Sequence, residues 1–171
     1  MLFARKNKFK VIFGVLLFTS SCILWEHLNG GVITHHLLAR KDLPGISNWW
    51  GLLNIPALTW ISLFLIHKRR QQNEELENTI VKRVLAAFIF GLIASILWEF
   101  NFDEILPFYI LLPLPIALIK PLHLPEYLLG FVLGMLFTFG GILPILVGLV
   151  LILLCYLIHK IIRFLKEQFK I

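Results

Sequence analysis

Charge is what this sequence has least of: Asp, Glu, Lys and Arg make up 15% of its 171 residues, against 58% hydrophobic. Soluble domains carry nearer a quarter charged residues, so an ordinary soluble domain is excluded, and the mean hydropathy of +0.85 points to an integral membrane protein. Cysteine is nearly absent. Cys22 and Cys155 both lie inside apolar runs, without the CxxC spacing of a zinc site or redox pair, and read as small core residues. Acidic residues are also few, ten against sixteen Lys and Arg. No HExxH ligand spacing occurs and nothing resembles a nucleophile elbow, so the chemistry cannot be read from a local motif.

Long apolar runs are what the chain does have. Lipid offers no partner to backbone N–H and C=O groups, so spans must be helices or a closed barrel. The runs here are continuous rather than alternating, which selects helices. The expected fold is an all-α integral membrane protein, a single polytopic domain over residues 1–171 with six spans, at about 11–28, 47–66, 84–100, 105–119, 127–139 and 142–159. The first follows a basic segment in the manner of a secretory signal, but its apolar stretch from Val11 to Leu28 is 18 residues, long enough to span, and it reads as an uncleaved helix. Gly30 and Gly31 end it. Ser47 is a candidate N-cap for the second. Pro107, Pro113, Pro115 and Pro121 require the fourth to be kinked or partly unwound. The last apolar block is too long for one span and is divided at Gly140–Pro144. Residues 67–83 form a polar loop on this reading. Residues 160–171 form a basic tail whose Ile161, Ile162, Leu165 and Phe169 can rest on an anionic inner leaflet.

Charge provides an independent check on the span count. With the N-terminus inside, six spans leave fourteen of the sixteen basic residues on the cytoplasmic side and only Arg40 and Lys41 outside. That asymmetry satisfies the positive-inside rule, predicts an N-in, C-in bundle, in the cytoplasmic (inner) membrane if the chain is bacterial, and accounts for the formal charge of +6 without a nucleic-acid partner. Membrane lipids are the expected partners, with a membrane-protein partner or a second copy of the chain as alternatives. Gly130 and Gly134 form a GxxxG pair that permits close helix contact, preferentially within the chain.

The outer face then collects the candidate site. Glu26 and Glu99 each end an "ILWE" tetrapeptide, and each stands 16 residues beyond the last cytoplasmic basic residue of its span, Lys10 or Arg83. That is roughly 24 Å along a helix, which sets both at similar depth. A carboxylate near lipid usually finds a cation, a proton or a metal. Glu26 and Glu99 are therefore candidate catalytic residues or metal ligands, and His27, His35 and His36 can add nitrogen ligands to a set suited to a divalent transition metal such as zinc. The alternative is that both carboxylates tip into headgroup water beside their tryptophans. Asn48, Asn54 and Trp49 are candidate substrate contacts, with Trp49 equally at home in an interfacial aromatic belt. The segment 32–40 is expected to form a short outer helix. His67, His123 and His159 read as solvated helix ends.

Three functions follow as expectations. One is a metal-assisted enzyme acting on a lipid-like substrate at the outer boundary. The second is a solute-binding or transport subunit; in size, span number and orientation the chain resembles the substrate-binding subunits of energy-coupling-factor importers, a likeness of topology and size alone. The third is a non-catalytic membrane assembly factor.

Overall fold

A computed structural model describes residues 7–36, 45–72, 77–102 and 104–169, with side chains described for all but 35, 36, 72 and 169. The elements in chain order are α1 (Lys8–Leu28), β1 (Thr34–His36), β2 (Gly45–Ser47), α2 (Gly51–Gln72), α3 (Glu77–Glu99), α4 (Leu106–Leu111), α5 (Pro113–Ala117), α6 (Pro125–Phe139) and α7 (Ile142–Phe169). A single 3-10 turn, Asn48–Trp50, leads into α2. Among the described residues, four helices are long and apolar enough to cross a membrane: α1, α2 with its preceding turn, α3 and α7. The α4–α5 segment and α6 are shorter apolar helices. At 1.5 Å per residue the 15-residue α6 covers roughly 22 Å, less than a hydrocarbon core of about 30 Å.

Several sequence expectations need correction. Most of the polar segment 67–83 is helix rather than loop, because α2 runs on to Gln72 and α3 already begins at Glu77. Polar residues do not end a helix when its apolar part is already anchored; they carry it out into water. The expected outer helix is not present over Thr34–His36, which is extended and pairs antiparallel with Gly45–Ser47, Thr34 opposite Ser47 and His36 opposite Gly45. The rest of that expected helix, residues 37–40, lies outside the described residues. The fourth hydrophobic segment, expected to be kinked or partly unwound, consists of two short helices, α4 and α5, that meet at Leu112. Pro113 and Pro115 lack the N–H groups that would carry the ladder across this join. The basic tail, by contrast, has the helical continuation its apolar spacing implies, α7 running without a break to Phe169.

The closest packing is between α3 and α6. A Cβ at Gly130 would overlap the Val84 carbonyl oxygen, one at Gly134 the Phe88 carbonyl, and one at Gly91 the Phe131 carbonyl. Small residues on both helices thus let the backbones approach, and dispersion between them supplies attraction that the hydrophobic effect does not provide inside a bilayer. The GxxxG pair is used within the chain, against an Ala87, Gly91 and Ser95 stripe on α3. The Ser95 hydroxyl closes the contact by donating to the Gly134 carbonyl at 3.3 Å. Around this pair the buried residues Ile55, Ala94, Leu128, Phe131, Val132, Met135 and Leu136 form the core. Phe13, Phe64, Ile89, Phe108 and Ile119 are exposed on the periphery, the side that lipid would cover.

Candidate functional site

Each end of the bundle holds a buried carboxylate. At the end formed by the C-terminus of α1 and the N-terminus of α2, Glu26 is 8% exposed. Its Oε1 accepts from Asn48 Nδ2 at 2.7 Å, and its Oε2 accepts from the Ile33 backbone N–H at 3.3 Å. The Ile33 carbonyl accepts in turn from the Asn48 N–H at 3.1 Å. Glu26, Ile33 and Asn48 therefore form a closed ring of hydrogen bonds. Gly30 and Gly31, at φ +125° and +105°, make the reversal that brings Ile33 back over the helix end. Gly140, at φ +67°, seals the far side, where a Cβ would overlap the Asn48 amide. Charge-assisted hydrogen bonds of this kind are the stronger class. Their arrangement fastens the segment around Ile33 and the start of α2 onto the end of α1, with Gly140 packed against Asn48.

The other residues expected at this site separate. Glu99 is exposed at the end of α3. His27 is exposed, its ring 6.4 Å from that of Trp49, and Trp49 is itself half exposed. Asn54 is half-buried along α2. The backbones of His35 and His36 lie in β1, and their side chains lie outside the described residues. Among the described residues, no three His, Cys, Asp or Glu side chains gather closely enough to hold a metal ion.

The opposite end holds a residue that the sequence reading passed over. Glu126, in the first turn of α6, is fully buried. Arg69 from α2 grips it with two bonds, Nη1 to Oε2 at 3.0 Å and Nη2 to Oε1 at 2.8 Å, and Arg83 from α3 donates to Oε1 at 2.9 Å. One carboxylate thus joins three helices. The available signal was its isolation: between Glu104 and Glu167 it is the only acidic residue, and it follows a proline at a helix start, on the side where positive charge gathers.

Beside this cluster, α3, α5, α6 and α7 leave an apolar cavity of about 270 Å³. Ala86, Phe90, Pro113, Phe131, Ile152 and Cys155 are on its wall, and Lys120 is its one charged lining residue. Tyr109 steadies that wall, stacking on Phe90 at 4.5 Å between ring centroids and donating to the Phe90 carbonyl at 3.1 Å. One turn beyond Cys155, His159 begins a polar recess shared with His123, Tyr156, Lys160 and Arg163. The His123 and His159 rings are 5.5 Å apart, and His159 Nδ1 is 3.4 Å from the Ala117 carbonyl. Burial, with His159 and Arg69 beside it, lowers the His123 pKa below the ordinary imidazole value against the opposing pull of Glu126. His123 therefore favours the neutral form, and its buried Nδ1 has no hydrogen-bond partner among the described residues.

No protein-family model, curated protein or solved structure matches this chain.

Proposed function

We propose that this chain is a six-span membrane protein, N-in and C-in, that binds a lipid-like ligand within the bilayer as a binding or transport-type component. The observation that carries the reading is the apolar cavity among α3, α5, α6 and α7, with Lys120 as its single charged lining residue. At about 270 Å³ it lies just below the roughly 300–1,000 Å³ of sites for compact drug-sized ligands, a size that suits one slender chain. Apolar walls favour a hydrocarbon, and a lone cation orients whatever polar end that hydrocarbon carries. The α4–α5 break supports the same reading, because each short helix has a proline in its first turn and Pro113 and Ile116 of α5 line the cavity.

The outer carboxylate supports a structural role. Both Glu26 oxygens accept hydrogen bonds inside the protein, and Glu99 is exposed at another helix end. A metal-assisted hydrolase built on that pair would need them to converge. Glu26 serves better as the clasp that holds the outer loop in place.

The test is lipid retention. Wild-type protein and Ala86→Phe, whose ring would occupy the cavity, are purified in the same mild detergent, extracted with organic solvent and compared for lipid per protein. The expected result is a tightly held lipid on the wild type that the variant loses while keeping its elution profile and melting temperature. Equal retention by the two proteins would sink the proposal.

A further inference from the structure

We infer that the cavity takes one acyl chain of an anionic phospholipid from the inner leaflet, its headgroup held at Lys120 and the adjoining His159–Arg163 recess. This inference rests on the proposed lipid-binding function and adds the chemistry and orientation of the ligand.

The argument begins with a single stripe of α7. Gly148, Ile152 and Cys155 line the cavity, and His159 and Arg163, next in the same helical register, line the recess beyond it. Spacings of four, three, four and four keep these residues on one face of a helix. Along that face the surface changes from apolar to cationic in one direction only. From Gly148 to His159 is 11 residues, or about 16 Å of helix. This is close to half of a hydrocarbon core of about 30 Å, the depth of a single leaflet. A lipid tail lying along the stripe would reach the bilayer midplane as its headgroup reached the basic end.

Charge at that end favours an anion. Lys120 is exposed at the cavity wall, and Lys160 and Arg163 line the recess. Lys166 continues the basic surface one turn on, beside Leu118 and Ile119. The nearest acidic group on this face, Glu167, is engaged by Arg163 at 3.1 Å, while Glu126 is enclosed by Arg69 and Arg83. Neither carboxylate compensates Lys120. A zwitterionic headgroup would set its own cation among these residues, whereas a phosphodiester with an uncharged alcohol would not.

The experiment uses the full chain in detergent with an equimolar mixture of phosphatidylglycerol and phosphatidylcholine, and native mass spectrometry reads the ratio of the two adducts. Wild type is expected to retain phosphatidylglycerol preferentially. Lys120→Gln should cut that preference about tenfold, the size expected for loss of one charge-assisted contact. Lys8→Gln, which removes a cation at the same end of the bundle but on α1, should leave it unchanged. Ala86→Phe should lower both adducts together. A preference unaltered in Lys120→Gln, with both adducts lost in Ala86→Phe, would overturn the headgroup assignment and leave the cavity reading standing. Equal effects of Lys8→Gln and Lys120→Gln would overturn it as diffuse surface attraction. Adducts unaffected by Ala86→Phe would remove the cavity reading itself.

Discussion

Glu126 ties α2, α3 and α6 together through a single carboxylate. An ionised carboxylate with no exposure is stable only when its charge and lone pairs are answered, and Arg69 and Arg83 together do both. Removing one member of such a group leaves buried charge uncompensated, at a cost of about 3–5 kcal/mol. Glu126→Ala should therefore lower the detergent melting temperature far more than Glu99→Ala, whose side chain is exposed. Thermal unfolding followed by light scattering or intrinsic fluorescence would compare them, and similar shifts for the two would show that the triad contributes little. At this scale the sequence was only partly legible. Glu26 stood out because an acid at the end of an apolar run is conspicuous. Its partner Asn48 was identified as a nearby polar residue, but the ring through Ile33 depends on a backbone reversal that composition does not reveal. Glu126 was not identified at all, since its two arginines come from helices 57 and 43 residues away in sequence.

Among the elements, α3 and α6 set the geometry of the bundle. Their backbones meet where Gly91, Gly130 and Gly134 leave no space for a Cβ, so even a methyl group must push the helices apart. Gly134→Ala should cost roughly 1–3 kcal/mol through overpacking. Gly14→Ala makes a suitable control, because a Cβ there meets nothing within 4 Å, and a helical Gly→Ala change should be neutral or gain roughly 0.5–1 kcal/mol. Opposite shifts in melting temperature are expected; a destabilisation shared equally by both would count against close α3–α6 contact. The GxxxG spacing was visible in the sequence, but the matching stripe on α3 was not singled out. Ala, Gly and Ser four residues apart carry little meaning until the facing helix is known. Thr34–His36 differs from its expected helix for a related reason: residues near an aromatic belt suit either a surface helix or a strand, and pairing with Gly45–Ser47 decides the matter for these three.

For the whole molecule, the two carboxylate clasps lie at opposite ends of the helices. Glu26 joins the α1 and α2 ends near the α6–α7 turn, and Glu126 joins the far ends of α2, α3 and α6. The expected six-span orientation places the Glu126 cluster, Lys120 and the basic end of α7 in the cytoplasm, in keeping with the excess of Lys and Arg there. Fusions of green fluorescent protein and alkaline phosphatase after Ile171 test it directly. Fluorescence with no phosphatase activity is expected. An active phosphatase would invert the bundle and move the lipid site to the other leaflet.

Composition and run length by themselves determined that the chain is mainly helical, that several of its helices are long and apolar enough to cross a membrane, and which way its charge asymmetry runs. These are properties of each segment facing lipid and water, and each segment carries them locally. Tertiary structure decided which polar residues meet. It buried Glu26 and left Glu99 exposed although both end the same tetrapeptide, because only the Gly30–Gly31 reversal carries a donor back over its helix. It also decided that α3, α5, α6 and α7 meet around an unfilled apolar cavity. Convergence and empty volume are relations between distant segments, set by how helices pack, and hydropathy along the chain does not encode them.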